Sequence, residues 1–513
     1  MKKSKFLNIC FFTVLSVLLA SSSCSSEIEP PQIEPQATAS PESINFEASQ
    51  IESKAVRIVS NVPFSIKTDS SWCHVDVVSQ GNDLEKVFSV KCDPNLTISP
   101  RSATLMIMAV SGGEIGSINV TQAGYTPPSF PDPEPTPEVP GLSVDKVYEA
   151  LGLGWNLGNQ LDAHANGVSG ETLWGNPIVS QTLFDGVAQA GFKSIRIPIT
   201  WMGHIGPAPD YTIEPAWLNR VAELVDYAEK AGLTTIINIH HDGANSEYWL
   251  DIKNAAINQS VNNKIEAELA AIWKQVAEKF ADKGENLIFE SMNEIHDGGW
   301  GWGNNRNDGG KQYATFNHWQ QVFVDAVRSA GGKNETRWLG IPAYCTNIDL
   351  GDYLVLPDDP SNRLMVAVHC YEPYQYTLEA NFSEWGHTGA EGKKDKSDEK
   401  TLVGELDKAV AKWSSRGIPV YIGEFGCVRR SDSRAENFRN YYLKYYAKAA
   451  TDRHIPIMYW DNGYSGTGRE MSGLFDRSTG KIYPGVENAV KALTEGYYSP
   501  TLTLDAVYVA APR

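Results

Sequence analysis

Cysteine is scarce in this chain, with seven residues in 513. Cys10 and Cys24 fall in the N-terminal leader, which leaves Cys73, Cys92, Cys345, Cys370 and Cys427. An odd remainder without close pairs matches neither a zinc site nor a disulfide framework. Cys73 and Cys92 could bridge in an oxidising compartment or stay as buried thiols. Basic residues are also short, 44 Lys and Arg against 62 Asp and Glu, for a net charge of −18. That balance argues against nucleic acid as a partner, because phosphates demand a basic face. Neutral ligands stay open. Long apolar runs are missing too: the stretch Phe6–Ala20 is too short to span a membrane comfortably. It follows Lys2, Lys3 and Lys5 and precedes small residues, the order of a secretory signal over residues 1–23. What the chain does have is aromatics, with 14 Trp and 22 Tyr. Flat amphipathic rings suit sugars, although most aromatics in any protein are core.

Ser21-Ser22-Ser23-Cys24 resembles a bacterial lipobox, with Ser21 where Leu is usual, and so implies lipidation at Cys24. A lipid there would tether the body to a membrane without spanning it. Glu27 and Glu29 resemble the surface-export signal of Bacteroidetes lipoproteins and imply the outer face of the outer membrane. Residues 24–40, rich in Ser, Glu and Pro, read as a flexible tether. Residues 125–140 form a second, proline-dense linker, where proline blocks helix and ladder alike. Between them, residues 41–124 alternate apolar and polar in short runs such as Ala55-Val56-Arg57-Ile58-Val59 and Thr104-Leu105-Met106-Ile107-Met108. Period two broken by turn residues predicts a small β-sandwich. Trp72, Pro94-Asn95, Arg101-Ser102-Ala103 and Val120-Thr121-Gln122-Ala123-Gly124 resemble a BACON domain, an immunoglobulin-like module that binds glycan or serves as a spacer.

Over residues 141–499 the rhythm is strand, then helix, repeated, with a C-terminal tail over 500–513. Strand ends fall near Asn156, Pro198, His240, Asn293, Pro342, His369, Glu424 and Trp460, separated by amphipathic stretches such as Glu214–Ala231 and Gln312–Ala330. The pattern predicts an α/β fold, a (β/α)₈ TIM barrel. A doubly wound sheet would want a Gly-rich phosphate turn after its first strand. Gly152–Gly158 supplies glycines without the helix and spacing that turn needs.

Side chains at the C-terminal strand ends of a parallel barrel converge on one mouth. Here they are Arg196, His240, Asn293, Glu294, His369, Tyr371, Glu424 and Trp460, polar or aromatic after apolar strands. Two carboxylates from separate strands suit glycoside hydrolysis: Glu294 as acid/base and Glu424 as nucleophile. Arg196 would lower the pKa of Glu424, and the Glu424 anion would raise that of Glu294. Asn293 is placed to hold the sugar 2-hydroxyl and Tyr371 to donate to Glu424. His240 and His369 would hold hydroxyls or the acid, and Trp460 would floor the site. His240-His241-Asp242 tempts a metal reading, but adjacent strand residues point to opposite faces, so no metal is expected; His241 is left between substrate contact and loop packing.

Those segments together resemble glycoside hydrolase family 5: Gly154-Trp155-Asn156-Leu157-Gly158-Asn159, Ser194–Pro198, Asn238–Asp242, Ser291-Met292-Asn293-Glu294, Val368–Pro373, Ile422-Gly423-Glu424-Phe425-Gly426 and Tyr459–Gly463. The resemblance implies a retaining mechanism without a cofactor, and adds Asn159 to the substrate-binding set. Glu171–Pro177 and Tyr371–Tyr376 look like subfamily 4, which implies endo-β-1,4-glucanases, including those acting on xyloglucan and mixed-linkage glucan, and places Trp174 in the cleft. Cys370, inside the His-x-Tyr motif, and Ile295, after Asn-Glu where Pro is common, depart from the family pattern. Trp300 and Trp302, just after Glu294, are expected to shape the positive subsites. The expected partners are β-glucan polysaccharides and oligosaccharides, with a monomeric enzyme held to the membrane only by its lipid. A β-mannanase or xylanase on the same scaffold is the alternative enzyme. A non-catalytic surface glycan-binding lipoprotein would predict a lost carboxylate, and both are present.

Overall fold

The computed structural model describes residues 34–47, 52–93, 95, 99–124 and 143–513. The segment expected to be a signal peptide, Cys24 and the proline-rich linker lie outside the described residues. Among those described, no helix is long and apolar enough to cross a membrane. The chain divides into two compact units.

The N-terminal unit is a sandwich of two four-stranded sheets. One contains β1 (Ala37–Ser40), β3 (Lys54–Ser60), β6 (Glu85–Cys92) and β5 (Cys73–Asn82), in that order. The other runs β2 (Ser43–Phe46), β8 (Glu114–Gln122), β7 (Arg101–Ala109) and β4 (Phe64–Thr68). The period-two residues do what the alternation predicts. Val56, Ile58, Val90, Leu105, Ile107, Ile118 and Val120 meet in one core between the sheets. The unit starts earlier than expected: Ala37–Ser40, assigned above to the tether, pairs antiparallel with Arg57–Ser60. Its four residues of alternation are too short to stand out among the surrounding prolines.

The C-terminal unit is a closed barrel of eight parallel strands. Its strands are β9 (Leu153–Leu157), β12 (Ser194–Ile197), β13 (Thr234–Asn238), β14 (Leu287–Glu290), β15 (Leu339–Asn347), β16 (Leu364–His369), β17 (Val420–Phe425) and β18 (Ile457–Asp461). A two-residue hairpin, β10 (His164–Ala165) with β11 (Val168–Ser169), hangs over the mouth after β9. The strands are buried almost throughout, so they read as continuous apolar runs. The intervening helices Pro215–Lys230, Gln259–Lys279 and Lys311–Ser329 bury one apolar face each, Val221, Leu224 and Val225 on the first. Below the barrel, helix Val144–Leu151 drives Val147 and Leu151 into a second cluster with Ile236, Ile288 and Met365.

The expected C-terminal tail is not a tail. Thr503 accepts the Ala506 amide and caps a helix over Leu504–Val509. Val507 and Ala511 enter the barrel unit's core, and Tyr508 stacks on His387 at 3.8 Å. Six residues carry too little periodicity to be seen against a terminus.

Candidate active site

Every strand-end side chain expected at the mouth is found there, and Arg196 ties two of them, Glu424 and Asn293, to the layer beneath. This guanidinium is fully buried on β12. Its Nη1 donates to Glu424 Oε1 at 2.7 Å and to Asn156 Oδ1 at 3.0 Å. Its Nη2 donates to Asn293 Oδ1 at 2.7 Å and to Glu290 Oε1 at 2.6 Å. The bond commits the Asn293 oxygen and leaves the amide's donor end for a ligand. Tyr371 donates to the second oxygen of Glu424 at 2.9 Å.

Glu294 stands on the opposite wall, just past β14. His369 Nδ1, at the end of β16, lies 2.7 Å from Glu294 Oε1 and 3.7 Å from Glu424 Oε2. Thr346 donates weakly to Glu294 Oε1 at 3.4 Å. An oxygen of Glu294, an oxygen of Glu424 and a nitrogen of His369 all lie within 4.8 Å of one another. Two carboxyl groups about 5–5.5 Å apart are the spacing of double displacement at an anomeric carbon.

Burial raises the Glu424 carboxyl above its ordinary value, against the pull of His369 and Arg196. At Glu294 burial is again the largest influence and acts upward, but the hydrogen bond and charge of His369, with the charges of His296 and Arg196, together outweigh it and take the group below. Arg196 lowers Glu424 as expected, by its charge and its hydrogen bond, but burial outweighs it, so the net order of the two carboxyls is the reverse of the one expected. Glu294 and Glu424 share His369 as a neighbour, 2.7 Å from one and 3.7 Å from the other, so the protonation of the two carboxyls is linked.

His240 and His241 correct the strand argument. β13 ends at Asn238, and His240 leaves extended geometry at φ −102°, ψ −83°. Both rings therefore turn to the same side, 4.4 Å apart. Asn238 Nδ2 donates to His240 Nδ1, so the His240 proton sits on Nε2 and can be given to a ligand. Burial holds His240 well below its usual pKa, and it stays neutral. Asp162, His240 and His241 bring ligand atoms within 4.8 Å of one another, as a metal would ask. Asp162, however, spends its oxygens on the amides of Gln160 and Asn159. In the cluster of Glu294, His369 and Glu424, Arg196 already holds the place of a cation on Glu424.

The ring of Trp460 stacks parallel to His240 at 5.8 Å. Gly158 makes room for it, since a Cβ there would lie 2.7 Å from the indole. Trp174 donates to the His164 carbonyl at 2.9 Å and tilts against His164 and His241, which puts it on the same wall. Asn159 enters through its backbone: φ is 56°, its amide bonds Asp162 and its carbonyl accepts from Asn176. Trp300 is 56% exposed, held at φ 51° and stacked on His296 at 4.3 Å. With His164, His240, His241, Asn293 and Glu294 it lines a cavity of about 240 Å³. Trp302 is 74% exposed under Arg306, whose guanidinium sits 4.0 Å over the ring.

Residues missed in the sequence lie one layer down. Glu290, fully buried on β14, accepts from Arg196, from Asn238 at 2.8 Å and from Tyr421 at 2.6 Å. A Glu closing Leu-Ile-Phe-Glu, behind three apolar residues, was the available signal.

Comparison with known proteins places these features in a family. The model for cellulase, glycosyl hydrolase family 5, matches residues 159–466, and that for the BACON N-terminal binding domain matches residues 62–123. Endoglucanase A of Paenibacillus barcinonensis is 38% identical over 69% of this chain and 90% of its own length. The xyloglucan-specific endo-β-1,4-glucanase of Bacteroides ovatus is 30% identical over 83% of this chain and 85% of its own. Among solved structures, a broad-specificity endoglucanase from Bacteroides salanitronis is 55% identical with a TM-score of 0.68, covering 70% of this chain and 96% of that one. The chain belongs to glycosyl hydrolase family 5, the cellulase family, as an endoglucanase-type glycoside hydrolase with a BACON domain ahead of its barrel.

Proposed function

We propose that this protein is an endo-acting, retaining β-1,4-glucanase that hydrolyses xyloglucan, mixed-linkage β-glucan or both by double displacement. The approach of the Glu294 and Glu424 oxygens to within 4.8 Å carries the reading. Glu424 attacks the anomeric carbon while Glu294 protonates the departing oxygen; a water then enters, deprotonated by Glu294, and frees the enzyme. Arg196 and Tyr371 aim Glu424 and favour its ionised form, while His369 holds Glu294, the group that gives up the proton and takes it back. The donor end of Asn293 meets the sugar 2-hydroxyl, His240 Nε2 donates to a neighbouring hydroxyl, and Trp460 floors the cleaved unit. Trp174 and His241 flank the glycone side.

The substrate class is supported by relatives on two sides: the Bacteroides ovatus enzyme specific for xyloglucan and the Bacteroides salanitronis enzyme of broad specificity. The leader, Cys24 and the acidic residues behind it support a monomeric enzyme tethered by lipid at the outer surface of the outer membrane, with the polysaccharide outside as its partner.

One experiment tests the reading: product analysis on xyloglucan, mixed-linkage glucan, mannan and xylan side by side, with the anomer followed by NMR. Internal cleavage of the first two, releasing the β-anomer first, is expected. Release of the α-anomer first, or mannan as the preferred substrate, would overturn it.

A further inference from the structure

The N-terminal sandwich holds two cysteines that the hydrolytic reading does not use. Cys73 opens β5 and Cys92 closes β6, and the two stand directly opposite in the antiparallel register. The amide of Asp93 donates to the carbonyl of Trp72 at 2.9 Å, one step outside the pair. The cysteines therefore occupy a non-hydrogen-bonded position, where Cα atoms approach to about 4.5 Å and side chains come closest. Disulfides span Cα separations of about 4.4–6.8 Å, so no backbone movement is needed to join them. Both side chains point into the sandwich core, at 1% and 0% exposure. They are thiols in this structure and hydrogen-bond one another.

We propose that Cys73 and Cys92 are a redox site: a cross-strand disulfide, closed by oxidation, that clamps the end of an edge strand. Among the described residues β5 is paired on one side alone, and its ladder slips between Val77 and Ser79 and again between Gln80 and Asn82. Its secure end is the one at Cys73. At that end Cys73 leaves a turn in which its amide reaches the Ser70 carbonyl at 3.4 Å, a long bond whose opening would admit a small oxidant.

The chemistry balances with a disulfide as oxidant, glutathione disulfide or the disulfide of an oxidoreductase. The Cys73 thiolate attacks one oxidant sulfur and releases the other as a thiolate, forming a mixed disulfide. Cys92 loses its proton and attacks the Cys73 sulfur, which expels the second thiol. Two protein S–H bonds are lost, two electrons pass to the oxidant, and two thiols leave with the protons. The order follows from the pair's hydrogen bond, which lowers the Cys73 thiol and raises that of Cys92. Cys345, Cys370 and Cys427, buried in the other unit, serve as internal controls.

The test uses the full chain, equilibrated without denaturant in glutathione buffers from fully reduced to fully oxidised, then acid-quenched, alkylated and digested with trypsin. In oxidising buffer, the peptide Thr68–Lys86 should be recovered joined to Cys92–Arg101, and the two should separate on adding dithiothreitol. The Cys92→Ser variant should lose the joined peptide and instead carry one glutathione on Cys73. Oxidation should also slow cleavage of the sandwich by proteases in the wild type and not in Cys92→Ser. Recovery of Cys73 and Cys92 both alkylated at the oxidising end, or glutathione held on wild-type Cys73 without closure, would overturn the proposal.

Discussion

The two walls of the cleft hold their carboxylates in different ways. Glu424 is bonded by Arg196, which cannot give up its charge, and by the Tyr371 hydroxyl. Behind Arg196, Glu290, Asn156 and Asn293 fix the guanidinium from other directions. Glu294 has one strong contact, and it is with a group that itself titrates, His369. Permanent charge surrounds the side chain that must remain an anion until it forms a bond. A titratable partner faces the side chain whose proton must leave and return. The difference is what a double displacement asks of two otherwise identical carboxylates.

The comparison can be broken at either wall. Glu424→Gln should have the largest effect, abolishing turnover on every substrate while cello- or xylogluco-oligosaccharide binding by calorimetry persists. Glu294→Gln should cost roughly 10²–10⁴-fold on polysaccharide. The loss should be far smaller with an activated aryl leaving group, which needs no proton; equal losses on both substrates would place the acid elsewhere. Tyr371→Phe removes a hydrogen bond to a charged group, which amounts to about 1.5–3 kcal/mol, or roughly 10–100-fold in kcat/KM. Because the donor favours the ionised carboxyl, its loss should also move the acid limb of the pH profile upward. His369→Gln takes away the bond that lowers Glu294, so the alkaline limb should move to higher pH, with a smaller change at the optimum.

Asp242 extends the comparison to a buried carboxyl with no cation bonded to it. It accepts from the Trp201 amide and from Trp249 Nε1, and burial raises its pKa from 3.8 to about 6. A carboxyl raised on folding binds more protons in the native state than in the unfolded one. Its contribution is therefore whole below the unfolded value and is lost as pH rises through the folded one. Denaturant titrations should show stability falling between about pH 4 and pH 6 from this source, and Asp242→Asn should flatten that slope.

Much of the barrel is legible in the sequence because its strands are apolar on both faces and stop at a polar residue. Leu287–Glu294 and Val420–Glu424 announce both strands, although the first stops at Glu290, four residues before the acid, and the second runs one residue past the nucleophile to Phe425. The sandwich is legible for the opposite reason, a strict alternation. What escapes is local. His241 falls on the wrong face when a rule for extended backbone is carried beyond the end of its strand. Glu290 is easily passed over because strand ends carry the chemistry, though a buried carboxylate has to find hydrogen-bond or charge partners. The proton order between Glu294 and Glu424 cannot be read at all, since it depends on a 2.7 Å contact with a residue 75 positions away. The short helix Leu504–Val509 is held by tertiary contacts more than by its own pattern.

Arg196 and Glu290 cancel one another at the bottom of the pocket, and that neutrality has a consequence for the whole catalytic cycle. With Glu294 protonated for its part as acid, the pair of catalytic carboxyls carries one surplus negative charge, on Glu424. Forming the glycosyl ester erases it there, and the same step strips Glu294 of its proton, so the surplus reappears a few ångströms away on the facing wall. The tally inside never changes. The pocket therefore does not have to solvate a second anion or shed a counter-ion between one half-reaction and the next; it only has to let a single charge change sides.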